Sequence, residues 1–266
     1  MTPAKPKNPT RQVRRGKGHS YYADDVKVPG VTTLLNGIPK PALVNWAARV
    51  TAEEAVNRWD EFAAMPVGRR IAALERARYD ITSEASERGK EVHALAHRLA
   101  IGDEVDVPEE LSGYIKSLFA FLKDFDVDEE LVEVIIVKRT AWGTYMGQFD
   151  ALAALGVFAG ERWLIDYKTG KGVYSEAAHQ LAAYNDADTY LDADGTEQPF
   201  EAADRLGVVH LRQDGYELRP VNPEPDGALP SLAVFAYAAQ IKRYLDDVEE
   251  DRGLYIGESI RPPRKA

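Results

Sequence analysis

No cysteine occurs in the 266-residue chain. That excludes disulfides, thiolate zinc sites, cysteine-ligated iron–sulfur clusters and a cysteine nucleophile. No apolar run approaches the roughly 20 residues that span a bilayer, so no membrane partner is expected. The N-terminus, MTPAKPKNPTRQVRRGKGH, has no apolar centre and does not read as a secretory signal. A cytoplasmic location is the expectation. The phosphate-loop pattern Gly-x4-Gly-Lys-Ser/Thr is also missing, and Thr169-Gly170-Lys171-Gly172 does not fit it. Any helicase motor would therefore be a separate polypeptide.

Basic residues are the minority, 33 against 43 acidic ones, for a net charge of −10. Polyanion binding usually needs a basic footprint, so the balance speaks against nucleic acid. The distribution weakens that objection. Residues 1–22 hold Lys5, Lys7, Arg11, Arg14, Arg15 and Lys17 and no acid, and the chain closes with Arg261, Arg264 and Lys265. Two basic tails on an acidic body can hold a nucleic-acid backbone while the body holds cations. The plain alternative is that both tails are merely solvated.

Hydrophobic residues make up 45% of the chain, enough for one large domain. Residues 1–18 read as a flexible basic arm, 19–260 as a single domain and 251–266 as a basic tail. Within the domain, 19–125 is mostly helical and 126–250 is an αβ core. Tyr22, Val26 and Val28 around Asp24-Asp25 predict a short hairpin. From Pro41 to Ile101 the pattern is helical, broken near Pro66-Val67-Gly68. The clearest stretch is Ser83 to Ala100, with Val92, Leu95, Ala96 and Leu99 as its stripe and Gly102 beyond it. Glu84 and Glu87 then open a helix, where negative charge suits the dipole. A further helix is expected from Glu109 to Phe125. Residues 131–140, 146–155 and 163–169 read as three strands, 174–191 as a helix, 205–212 and 216–221 as a hairpin, and 230–248 as a last helix. The sum is a mixed α/β layered structure with a helical N-terminal extension.

Polar residues stand at the ends of apolar strands. Asp150 follows Met146-Gly147-Gln148-Phe149, while Asp166 and Lys168 interrupt Trp163-Leu164-Ile165. Residues i and i+2 of a strand share a face, so Asp166 and Lys168 point the same way. Charges there need pairing or a metal. A plain Asp–Lys salt bridge is the simple alternative, and Asp25-Val26-Lys27 repeats the triplet in a polar turn. Context separates the two copies. The Asp166 copy ends an apolar strand, follows Gly147 to Asp150, and precedes Gln180 and Tyr184, which share a helix face at i, i+4.

This combination resembles the PD-(D/E)xK nuclease superfamily, in its RecB-type exonuclease branch. The matching residues are Gly147-Gln148-Phe149-Asp150, Asp166-Tyr167-Lys168-Thr169-Gly170 and Gln180-Leu181-Ala182-Ala183-Tyr184, with Arg88-Gly89-Lys90-Glu91-Val92-His93 upstream. His19 to Trp46, with Val28-Pro29-Gly30-Val31-Thr32-Thr33 and Lys40-Pro41-Ala42-Leu43, looks like small phage-encoded nucleases of the branch. Gly30 departs from the more usual Ser. The matches span residues 19 to 184.

The resemblance implies a restriction-endonuclease-like core with a mixed central β-sheet flanked by helices. It implies a DNA exonuclease of the stand-alone phage type, without an iron–sulfur cluster, serving recombination, replication or DNA processing beside a separately encoded helicase or recombinase. If phage-encoded, it would act in the host cytoplasm. Asp150, Asp166, His93 and the backbone carbonyl of Tyr167 would ligate Mg²⁺ or Mn²⁺, hard cations suited to oxygen, with histidine favouring tolerance of Mn²⁺. Lys168 would orient the attacking water or stabilise transition-state charge. Gln180, as a catalytic residue, and Tyr184 would help place the scissile nucleotide or the nucleophile, and Arg14 and Arg15 would bind the substrate.

Other readings stay open. His93 sits on the shoulder of its helical stripe, and an ordinary packing histidine is the simple alternative. His97 lies near the solvent side; with His93 it would make a zinc pair, but His-Ala-Leu-Ala-His lacks the metalloprotease glutamate. His179 reads as structural. Glu133, sharing a strand face with Leu131 and Ile135, reads as an edge charge rather than an outer ligand. Tyr21, Tyr22, Trp46 and Trp59 read as core residues rather than stacking platforms. From another functional class, a non-catalytic or structure-specific nucleic-acid-binding module would keep the fold without the chemistry. Endonuclease action and the oligomeric state are left open.

Overall fold

Alternation decides the centre of the molecule. Along residues 161–168, Leu164 faces one apolar cluster while Trp163 and Ile165 face another. A strand buried on both faces needs a layer of helices on each side. The computed structural model, which describes residues 9–15, 18–100 and 104–250, has that arrangement. Its elements run β1 (Arg11–Arg15), β2 (Gly18–Ala23), β3 (Val26–Val28), α1 (Val31–Leu34), α2 (Pro41–Asn57), α3 (Trp59–Ala64), α4 (Val67–Ala100) and α5 (Glu109–Asp124). Then come β4 (Val127–Val132), β5 (Ile135–Thr140), β6 (Gly143–Gln148), β7 (Ala151–Leu155), β8 (Glu161–Lys168), α6 (Glu176–Asn185), β9 (Thr189–Leu191), β10 (Glu197–Pro199), β11 (Arg205–Arg212), β12 (Gly215–Val221) and α7 (Ser231–Glu250).

The protein is a mixed α/β structure. Its central sheet has five strands in the order β12-β11-β8-β7-β4, with β8 and β11 parallel and every other pair antiparallel. One face packs on α1, α6 and α7 through Val31, Leu34, Leu181, Tyr184 and Phe235. The other packs on α4 and α5 through Val92, Leu95, Leu111, Ile115 and Phe121. Each such side chain, fully buried, contributes about 1.5–3 kcal/mol. The second half of α4 and α5 are thus a layer of the core rather than an extension beside it. Two smaller sheets, β1-β2-β3 and β10-β9-β5-β6, stand alongside. Among the described residues no helix is long and apolar enough to cross a membrane.

Several expectations need correction. The apolar run 131–140 is two strands in different sheets, split at Glu133, whose φ of 51° turns the chain. Glu133 therefore shares no strand face with Leu131 and Ile135. The run 146–155 splits likewise at Phe149-Asp150, so Asp150 lies in the bend before a strand instead of ending one. The helix expected to reach 191 stops at Asn185, because Thr189–Leu191 pairs with β5 at Ile136 and Val137. Helix α4 starts at Val67, so Glu84 and Glu87 lie in its interior and cannot serve its N-terminal dipole. Part of the basic arm is a strand: Arg11–Arg15 pairs antiparallel with β2, a backbone ladder that needs no apolar pattern. The hairpin at Asp24-Asp25 is present, both residues having φ above 50°. Its inward tyrosine is Tyr21, not Tyr22. Trp59 is exposed rather than a core residue. Residues 1–8, Lys17, Gly102 and the tail 251–266 lie outside the described residues.

Candidate metal centre

The register of the central sheet assembles the site. Ala151 lies opposite Ile165 in the antiparallel β7–β8 pair, so Asp150, in the bend just before β7, comes beside the Asp166-Tyr167 end of β8. Asp166 shares a strand face with Leu164, while Asp150 reaches toward His93 of α4. The start of β7 and the end of β8 form one edge of the sheet. Three other features close on that edge. Helix α4 brings His93, the β8 end brings the Tyr167 backbone and Lys168, and α6 brings Gln180 and Tyr184.

Asp150 is held on three sides. Its Oδ2 accepts the Tyr167 N–H at 2.7 Å, and its Oδ1 lies 3.5 Å from His93 Nδ1. Its own carbonyl accepts the Glu133 N–H at 2.8 Å. Burial, and then the charge of Asp166, pushes the Asp150 carboxyl up to about 6; His93, Lys168 and the Tyr167 N–H pull the other way without cancelling this. Asp166 is 4% exposed. Its Oδ1 accepts from Lys168 Nζ at 2.8 Å, while its Oδ2 is buried with no hydrogen-bond partner. Burial pushes the Lys168 ammonium down, but Asp166, Asp150 and Glu176 outweigh it, and the net shift is upward. Lys168 is therefore a cation throughout the neutral range.

Two carboxylates close enough for one to raise the other, one of them with an orphaned oxygen, form a site that a cation would complete. His93 Nε2 stands 3.3 Å from the Tyr167 carbonyl oxygen. Neighbouring ligands on an octahedral Mg²⁺ or Mn²⁺ lie about 3 Å apart, from bonds near 2.1 Å. The pair is thus spaced as two adjacent ligands would be. Among the described residues, no group of three or more His, Asp or Glu side chains is placed to hold an ion on side chains alone. The set needs the backbone oxygen of Tyr167 and a turn of Asp166 away from Lys168. With those included, the donor set would be one imidazole and three oxygen donors, the chemistry a hard divalent ion takes.

Beside the carboxylates, Gln180 Nε2 donates to the Tyr184 hydroxyl at 3.1 Å, as their i, i+4 spacing predicts. Burial pushes the Tyr184 phenol far up, so it stays protonated and able to donate. Gly147 makes room for its ring: a Cβ there would lie 2.5 Å from Tyr184 Cε1. His179 is turned away from this cluster; its Nδ1 is buried without a partner, and burial lowers its pKa.

Arg14 is brought only to the rim. It lies on β1 opposite His19, exposed and without a contact to the carboxylates. Arg15 pairs its backbone with Gly18, and its side chain, like those of Glu84 and His97, lies outside the described residues. Two contributors escaped sequence reasoning. Glu176, one turn before Gln180, raises Lys168 and pairs with Lys40 at 2.8 Å; its i, i+4 spacing to Gln180 was a usable signal. His210, beside Lys168 in the β8–β11 register, lies 2.8 Å through Nε2 from the Gly170 carbonyl and braces the loop after β8. No local pattern marked it.

No protein-family model matches the sequence, and no curated protein is detectably similar to it. Among solved structures, the crystal structure of SSO0001 superposes with a TM-score of 0.37 at 15% identity, over 82% of this chain and 76% of that one.

Proposed function

We propose that this protein is a divalent-metal-dependent DNA exonuclease of the PD-(D/E)xK kind, in the RecB-type branch. The mixed five-stranded sheet, helices on both faces and carboxylates at one strand edge support reading it as a restriction-endonuclease-like core. The observation that carries the reading is Asp166: buried, near enough to Asp150 to raise it, with one oxygen on Lys168 and the other unpartnered. A salt bridge with Lys168 satisfies one oxygen of Asp166 and gives no reason to bury the other unpartnered or to set a second, raised carboxylate beside it.

His93, Asp150, Asp166 and the Tyr167 carbonyl would hold Mg²⁺ or Mn²⁺, which supplies a more acidic water and neutralises phosphate charge. The side chains do the rest. Lys168, fixed as an ammonium, cannot act as a general base; it donates a hydrogen bond and counters charge building on the phosphoryl oxygens. Tyr184, held neutral and oriented by Gln180, presents a second donor to the same edge. The deep position of Asp166 keeps bulk water from competing for the donors.

The test is purified protein with end-labelled linear DNA and, separately, closed circular DNA, in Mg²⁺, Mn²⁺ or EDTA. Metal-dependent loss of the linear substrate with the circle intact is expected. No cleavage with either ion would overturn the reading, and cutting of the circle would overturn its exonuclease part.

A further inference from the structure

Three basic side chains from three elements stand near one another at the edge of this site, and the cutting chemistry above uses none of them. Lys90 lies one turn before His93 on α4, so it shares the helix face that looks into the metal centre. His19 stands directly opposite Arg14 in the β1–β2 register, and opposed strand residues share a face. The hairpin is anchored beside the site. Tyr21, two residues along β2, stacks edge-on to His19 at 4.8 Å, receives a long 3.4 Å contact from Gln12, and packs over Gly30. Gln12 also reaches Gln148, the residue two before Asp150.

Lys90 and His19 are both exposed. Among the described residues, no carboxylate pairs with Arg14, His19 or Lys90. The crowding is real enough that burial, Arg14 and Lys90 together lower the His19 pKa. Arg14 and Lys90 thus place two like charges around the His19 ring with no acid paired to them, an arrangement that an anion would relieve.

We propose that Arg14, His19 and Lys90 form a binding cleft for a backbone phosphate of the DNA strand, next to the bond being cut. The cleft rests on the nuclease reading, because the metal centre would hold the scissile phosphate and the cleft its neighbour. It also gives the overall acidic chain its basic footprint at the one place where a polyanion must be held. Lys90 supplies a point charge, Arg14 a planar fork and His19 a ring nitrogen.

The experiment measures binding of a short fluorescent single-stranded DNA to the full chain in EDTA, over a salt series. Variants are Lys90→Gln, His19→Gln, His19→Arg and, on the distant β12, Arg219→Gln. Lys90→Gln is expected to weaken binding about three- to tenfold and to reduce the salt slope by about 0.7, the loss of one phosphate contact. His19→Gln weakens it less, His19→Arg restores it, and Arg219→Gln changes nothing. Mn²⁺ affinity by titration calorimetry stays at the wild-type value in all four, since no metal donor is altered. Wild-type affinity and slope in both Lys90→Gln and His19→Gln would overturn the cleft even where the protein cleaves DNA. Weakened binding by a protein that cleaves with neither ion would leave the cleft standing and remove the nuclease reading.

Discussion

Tyr167 donates its backbone N–H to Asp150 Oδ2 at 2.7 Å, while its carbonyl faces His93 Nε2 at 3.3 Å. One peptide segment thus fixes a carboxylate from β7 and a histidine from α4 at the same strand end. Its side chain packs into the aromatic cluster with Phe121 and lies edge-on to the His93 ring, 6.0 Å between centroids. The core on one side of the sheet therefore sets the geometry of the site on its edge.

Lys168 separates charge stabilisation from metal binding. Its ammonium sits 2.8 Å from Asp166 and stays protonated. Removing it takes a positive charge away from the carboxylates, so metal affinity should hold or rise. Turnover should fall, about 10²–10³-fold for a lost transition-state donor. Lys168→Ala is therefore expected to cleave slowly while binding Mn²⁺ at least as tightly as wild type, and Asp166→Ala to lose both. Cleavage rates with Mn²⁺ and calorimetric titration check this. Equal rates in Lys168→Ala and wild type would move the chemistry elsewhere.

The sequence makes part of this legible. Period-two spacing is enough to put Asp166 and Lys168 on one face, and period 3.6 is enough to pair Gln180 with Tyr184. Both relations are local. The strand breaks at Glu133 and at Phe149-Asp150 are not readable, because an apolar run does not reveal that its two halves join different sheets. Glu133 takes a left-handed turn without being glycine, supported by its bonds to the Asp150 carbonyl and from Gln148. Strand β1 is equally silent: Arg11–Arg15 earns its conformation from backbone pairing with β2, which side-chain patterning does not report. His210 and Lys90 reach the site through register and helix approach, both properties of the assembled fold.

Gly147 should prove intolerant of a side chain. Its added Cβ would meet Tyr184 Cε1 at 2.5 Å and Val31 Cγ2 at 3.1 Å, both in the core. Overpacking of this kind costs about 1–3 kcal/mol. Gly147→Ala is expected to lower the urea midpoint and to reduce turnover by displacing the Tyr184 hydroxyl from Gln180. Gly68→Ala is the contrast: nothing lies within 4 Å of its Cβ in α4, and it should stabilise by up to about 1 kcal/mol. A Gly147→Ala variant as stable as wild type would mean that the ring of Tyr184 is not held where its hydroxyl meets Gln180.

Asp150 predicts an unusual dependence of stability on pH. Its carboxyl lies near 3.8 when unfolded and is raised to about 6 in the fold. Between those values the folded state holds the proton more often than the unfolded one, so stability falls as pH rises, and above about 6 the full penalty applies. Its size is on the order of 3 kcal/mol. Asp150→Asn removes the penalty and keeps an oxygen for the Tyr167 N–H. In EDTA the variant should therefore melt higher than wild type at pH 7, with the gain shrinking toward pH 4. A bound divalent ion offsets the same penalty, so Mn²⁺ should raise the wild-type melting temperature most at neutral pH and the variant's hardly at all. Thermal melts at several pH values, with and without Mn²⁺, check both statements. A gain for Asp150→Asn that does not change with pH would show that its carboxylate is not the strained partner of Asp166.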